Sequence, residues 1–223
     1  MVSWLKKVLK LNSSIPRQWQ NVPLNTLPLL SIDFEFSGLD PKSAMFLSAG
    51  WIQGQDYNID MGTAYYALIR ANTNLDQSPV IHGLTEDALI DGVHAAQMYS
   101  ALMTFSDKAV FVVHNAQLDM VMLQKLAQKL GATLPHIVVI DTMQLALYQL
   151  NKEHTVIPGD AATLGACRER FGFPLAPAHN ALDDAQATLE LWLAQRHQID
   201  PKGVLTLNDL KRTGAVKVFG EIR

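Results

Sequence analysis

Asp33 and Glu35 stand one residue apart inside the apolar run Leu29-Leu30-Ser31-Ile32-Asp33-Phe34-Glu35-Phe36. Side chains alternate along a strand, so residues two apart share a face. By strand rise the two carboxylates lie ~6.6 Å apart. At an effective dielectric of about 20 they repel by ~2.5 kcal/mol. Such a pair in a core-like strand needs a reason. Three more ionisable groups fall where strands give way to helices. Asp119 is in the first turn of a helix that follows the apolar run 109–113, His179 lies in a loop before a long helix, and Asp184 is one turn into that helix. Brought together, the four acids form a cage of hard oxygen ligands, which suits Mg2+ or Mn2+ and not zinc. Two such cations ~3.5–4 Å apart stabilise the attacking and leaving oxygens of a phosphoryl displacement. Their charge would also offset the repulsion along the strand.

The elements that must position these groups follow from periodicity. After the strand at 29–36, two more are expected at 44–52 and 62–70, with turn residues 54–58 between them, as an antiparallel meander. A helix opens near Thr85, a suitable N-cap. The apolar runs 109–113 and 136–141 read as buried strands. Each is followed by a helix, the first at about 118–130 and closed by Gly131, the second from about Met143 and capped by Asp141. A short helix at 162–172, a loop, and a strong helix at 181–196 complete the order. Three strands and then alternating helices and strands define an α/β protein with a mixed central sheet. In such sheets, sites lie at the strand-to-helix junctions.

Residues 1–28 read as an amphipathic helix, with Trp4, Leu5, Val8 and Leu9 on one face, and a proline-containing linker. The main domain is expected at 29–199, and 200–223 reads as a basic tail without periodicity. Apolar residues are 48% of the 223 and charged residues 17%, which is a globular composition and excludes disorder. A single cysteine, Cys167, excludes an intrachain disulfide framework and a cysteine-based zinc cluster, and fits a reducing cytoplasm. No apolar run approaches the ~18 residues of a membrane span. Lys6, Lys7 and Lys10 interrupt what would be the apolar core of a signal peptide.

The net charge of −3 hides an asymmetry: residues 1–20 carry four basic side chains and no acid, 202–223 carry five basic and two acidic, and 21–201 carry nine basic and nineteen acidic. An acidic centre repels nucleic acid unless cations intervene. His94, His136, His154 and His197 read as structural or exposed, and His82 and His114 are less decided.

The motifs resemble the DnaQ-like, DEDDh-type 3′–5′ exonucleases, which include the proofreading epsilon subunit of bacterial DNA polymerase III. "DFEFSGLD" (33–40) carries the D-x-E pair, "HNAQLD" (114–119) ends on Asp119, and "HNALDD" (179–184) carries the H-x-A-x-x-D pattern joining His179, Ala181 and Asp184. Asp184, and not the adjacent Asp183, falls on that pattern. The resemblance covers about 29–196, and the three motifs in order are together specific.

It implies a ribonuclease H-like fold, a mixed central sheet flanked by helices. It implies two divalent metal ions, Mg2+ or Mn2+, bridged by Asp33, with Glu35 and Asp184 at one and Asp119 at the other. His179 would be the general base, a task suited to imidazole. The single-stranded or frayed 3′ end would be held near Phe36, Leu84 and Asn115, with Leu84 as a wedge against the last base. Phe36 departs from the small hydroxylated residue that proofreaders often carry there. Strand alternation turns it away from Asp33 and Glu35, so the departure bears on substrate contacts and spares metal binding. DNA is the first expected substrate. The alternatives are RNA trimming, similar to ribonuclease T or oligoribonuclease, and a nuclease-like module that binds without cutting. A DNA polymerase or other protein partner would dock through the N-terminal helix.

Overall fold

The run 29–36 forms strand β1 (Leu29–Phe36), the third of six strands in one sheet. The computed structural model describes residues 14–71, 86–153, 156–174 and 179–220. β1 pairs antiparallel with β2 (Phe46–Gln55), which pairs antiparallel with the edge strand β3 (Asn58–Leu68). On its other side β1 runs parallel to β4 (Val110–Val113), and β4 parallel to β5 (Ile137–Asp141). The sixth strand, β6 (Val216–Phe219), closes the sheet antiparallel to β5. The architecture is the expected mixed sheet flanked by helices.

Apolar cores on both sides hold the sheet. Phe111 and Val113 of β4 face one core, Val110 and Val112 the other, so a strand of four apolar residues is buried on both faces. Helices α3 (Ala95–Met103) and α4 (Ala116–Lys129) cover the first face. The long helix α7 (Ala181–Ile199) covers the second, with Leu189 and Trp192 fully buried. Each such side chain contributes ~1.5–3 kcal/mol. The shorter helices are α1 (Arg17–Gln20), α2 (Glu86–Ile90), α5 (Thr142–Glu153), α6 (Leu164–Arg170) and α8 (Leu207–Leu210).

One glycine sets the position of α7. Gly50 on β2 pairs with Asp33 on β1, and a Cβ at Gly50 would collide with the backbone of Ala181 and Leu182. Its bare backbone lets the start of α7 come down onto the sheet beside Asp33.

Several expectations need correction. β3 begins at Asn58, because the hairpin turns at Asp56, which takes the left-handed conformation (φ 56°). α3 was not anticipated from the sequence. Residues 14–28 are no loose linker: Ile15, Leu24 and Leu27 are in the core, and the Leu24 N–H donates to the Leu205 carbonyl (2.8 Å). The segment read as a tail supplies α8 and β6, with Leu207, Leu210 and Val218 buried against the second core. Its four-residue strand is stabilised by pairing with β5, which local periodicity does not reveal. The amphipathic stretch at 1–12, Leu84 and Thr85 lie outside the described residues. Among the described residues no helix is long and apolar enough to cross a membrane.

Candidate active site

β1 carries the first two acids on the face opposite its apolar one. Ile32, Phe34 and Phe36 pack into the first core, while Ser31, Asp33 and Glu35 alternate with them. β1 is internal to the sheet, so this acidic face is roofed by α7. Asp184 enters from the first turn of α7. Carboxylate oxygens of Asp33, Glu35 and Asp184 lie within 4.8 Å of one another. Asp119, in the first turn of α4 and buried, lines the same cavity of about 550 Å³. His179, Asn115 and Phe36 line it as well. The structure therefore brings together every expected site residue that lies within the described segments.

Two residues at the rim hold left-handed backbone, uncommon outside glycine: Asn115 (φ 68°) and His179 (φ 69°). A carboxylate fixes each. The His179 N–H donates to Oδ2 of Asp184 (3.0 Å), while the Asn180 side chain caps α7 by accepting from the Leu182 and Asp183 N–H groups (3.0 and 3.2 Å). The short motif 179–184 thus sets both the histidine and the acid. The N–H groups of Asn115 and Ala116 donate to Oδ1 and Oδ2 of Asp141 (3.2 and 3.3 Å). Asp141 is buried at the end of β5; it also accepts from the Gln144 N–H (3.2 Å) and pairs with Nζ of Lys217 on β6 (3.3 Å). It caps α5 as expected and, beyond that expectation, caps α4 across the parallel β4–β5 pair.

His114 is excluded as a base by its partners. Nδ1 meets Oγ1 of Thr142 (2.8 Å) and Nε2 meets the Ala162 carbonyl (2.9 Å). A carbonyl only accepts, so Nε2 carries hydrogen and the ring is pinned. Burial lowers its pKa. Leu39 belongs to the 33–40 motif. It lines the cavity while 85% exposed, an apolar side chain offered to whatever enters.

The acids are poised to accept positive charge. Burial first, then the charges of Asp119, Glu35 and Asp184, hold the Asp33 carboxyl well above the usual range. Burial and then Asp184 push Glu35 up to about 7. Burial, with the Asp141 and Glu35 charges, pushes Asp119 up to about 8. Asp184 is raised too, chiefly by burial, against the opposing His179 N–H bond. Converging buried carboxylates of this kind fit a hard divalent cation, which replaces the protons that burial otherwise favours.

The fold and this constellation define a nuclease. Residues 30–192 match the RNase_T exonuclease family, and the chain belongs to it. It is 25% identical to a PolC-type DNA polymerase III of Thermotoga petrophila over 181 residues, which are 81% of this chain and 13% of that polymerase. The chain thus spans about an eighth of the length of that curated relative. Among solved structures it resembles E. coli exonuclease I in complex with a dA16 oligonucleotide, with a TM-score of 0.63 at 16% identity, covering 79% of this chain and 42% of that one. It also resembles the nuclease domain of 3′hExo, a DEDDh family member bound to rAMP, with a TM-score of 0.61 at 13% identity, covering 83% and 98%. The fold is that of DEDDh exonucleases.

Proposed function

We propose that this chain is a 3′–5′ exonuclease that hydrolyses the terminal phosphodiester of nucleic acid, DNA in preference, and releases nucleoside 5′-monophosphates. The observation that carries the reading is the convergence of Asp33, Glu35 and Asp184 within 4.8 Å, with Asp119 in the same cavity. Those four carboxylates would hold two divalent ions, Mg2+ or Mn2+. Bound there, the ions would supply Lewis-acid stabilisation of the attacking and leaving oxygens and lower the pKa of the attacking water.

The remaining work falls to the chain's own residues. The His179 ring nitrogen takes a proton from water, whose oxygen attacks the phosphorus of the last phosphodiester. The bond from phosphorus to the 3′ oxygen of the preceding nucleotide breaks, and that oxygen takes up a proton. Asp184 accepts the His179 N–H and so holds the base in its left-handed position. Asn115, fixed by Asp141, and the exposed Leu39 line the cavity where the terminal nucleotide would sit. Phe36 packs against Phe46 (ring centroids 5.1 Å apart) and would form its floor. Leu84 remains the proposed wedge.

DNA is favoured because the relatives include DNA polymerases and exonuclease I is known with dA16. The rAMP complex of 3′hExo supports the RNA-trimming alternative. Docking to a polymerase in the cytoplasm through residues 1–12 completes the proposal, and pull-down with and without those residues tests it. The test of the activity is a time course on matched DNA and RNA single strands labelled at either end. A 5′ label is expected to shorten stepwise while a 3′ label leaves at once as a mononucleotide. The reverse pattern, or binding without digestion under either metal, would sink the exonuclease reading. The faster strand decides the substrate.

A further inference from the structure

A second cavity lies on the same face of α4 as the catalytic one. Leu118 and Asp119 line the catalytic cavity; Met122, Lys125, Leu126 and Lys129 line a neighbouring cavity of about 220 Å³. These positions recur at helical spacing, so one ridge of α4 runs past both. The rings of Phe36 and Phe46, 5.1 Å apart, stand between them: Phe36 lines the first cavity and Phe46 the second.

The chemistry of the two differs in sign. The floor of the second is apolar, built from Phe46, Ile69, Met122 and Leu126. Among the described residues its charged lining side chains are Arg70, Lys125 and Lys129, with no carboxylate. Among the described residues these three form no salt bridge. Lys125 donates instead to the Pro41 carbonyl in the β1–β2 loop, and the exposed Lys42 follows on that loop. Among the described residues the Arg70 side chain meets the ring of His94 (3.4 Å). A concentration of cations of this kind is unexpected within 21–201, where acids outnumber bases nineteen to nine.

We infer that this basic-rimmed cavity binds the phosphodiester backbone of the strand upstream of the scissile bond, with a base over its apolar floor. The inference rests on the proposed exonuclease reading and deepens it. From Leu118 to Lys129 the ridge is about 16 Å long by helix rise. At ~3.4 Å per nucleotide this matches roughly five stacked nucleotides. Arg70, Lys125 and Lys129 are thus substrate-binding residues distant from the acids. They offset the repulsion that the acidic centre exerts on a polyanion, and they favour long strands over short ones.

The test compares wild type with R70Q/K125Q/K129Q and with R70Q/K129Q. The second variant keeps Lys125 and its bond to the β1–β2 loop, so it guards against a folding artefact, with thermal unfolding as the control. Anisotropy of a labelled DNA dodecamer in EDTA reads binding without needing hydrolysis. Removing three cations is expected to reduce the slope of log affinity against log salt by about 2, at ~0.7 per phosphate contact on a single strand. With Mg2+ added, the ratio of kcat/KM for the dodecamer to that for a dinucleotide is expected to fall about tenfold or more. An unchanged slope and an unchanged ratio in a folded triple variant would overturn the inference. Failure of the exonuclease reading would look different: no hydrolysis of either strand by wild type, with the salt slope still reporting on the cavity.

Discussion

The two faces of β1 carry opposite chemistry on alternate residues. Ile32, Phe34 and Phe36 are buried in the first core, and Phe34 and Phe46 meet edge to face at 5.2 Å. Between them Asp33 and Glu35 face the acid cluster, where burial and neighbouring carboxylates raise their pKa values. One face stabilises the fold by removing apolar surface from water; the other destabilises it by gathering anions in a poorly hydrated place. The rigid, well-packed face is what allows the other to hold carboxylates in fixed positions without relaxing apart. Stability and activity should therefore separate along a single strand.

Asp33→Asn breaks the comparison most sharply. Activity is expected to fall about a thousandfold or more, ~4 kcal/mol of barrier. Metal-free stability at pH 8 should rise instead, by on the order of 1 kcal/mol, because a raised carboxyl is removed. Initial rates and urea unfolding of the same preparation read both. His179→Ala should lower the rate by roughly 10²–10⁴, the usual contribution of a general base. Its melting temperature should stay near wild type, since the ring lies in an exposed loop.

On the opposite face, Ile32→Ala should behave in reverse. Its side chain is fully buried, and truncation should cost about 2–5 kcal/mol in urea unfolding. The rate per folded molecule should stay within about threefold, ~0.7 kcal/mol. The two faces differ as well in the pH dependence of metal-free stability. Glu35 and Asp119 hold protons more tightly when folded, with pKa values of about 7 and about 8. Their contribution is fullest below the unfolded carboxylate range and is lost as pH rises from about 4 through those values. Thermal melts in EDTA should thus fall between about pH 5 and pH 8, by on the order of a few kcal/mol of stability. Mg2+ should flatten that fall. A melt that rises over the window in EDTA would contradict the assignment.

Much of this was legible in the sequence. Alternation alone put Asp33 and Glu35 on one face of β1 and Ile32 and Phe34 on the other, and the structure has them so; Phe36 joins the first core but, past a bulge at Glu35/Phe36, also lines the cavity of the acids. The apolar runs gave β4 and β5, and the H-x-A-x-x-D spacing singled out Asp184, which joins the cluster while Asp183 does not. Three features were hidden because they are tertiary. Left-handed backbone at Asn115 depends on a carboxylate supplied from the end of β5. The second helix capped by Asp141 becomes visible only once β4 and β5 are known to be neighbours. β6 is four residues, too short for periodicity to register, yet it brings Lys217 to Asp141 and so ties the C-terminal segment to the site.

The central claim is that the acids of β1, α4 and α7 form one metal-dependent hydrolytic centre. Its most direct test strips the protein with EDTA, removes the chelator, and follows a 5′-labelled single strand before and after adding Mg2+ or Mn2+. No digestion without metal, and restored stepwise shortening with it in wild type but not in Asp33→Asn, is the result expected. Digestion that persists in EDTA, or that Asp33→Asn retains, would contradict the account.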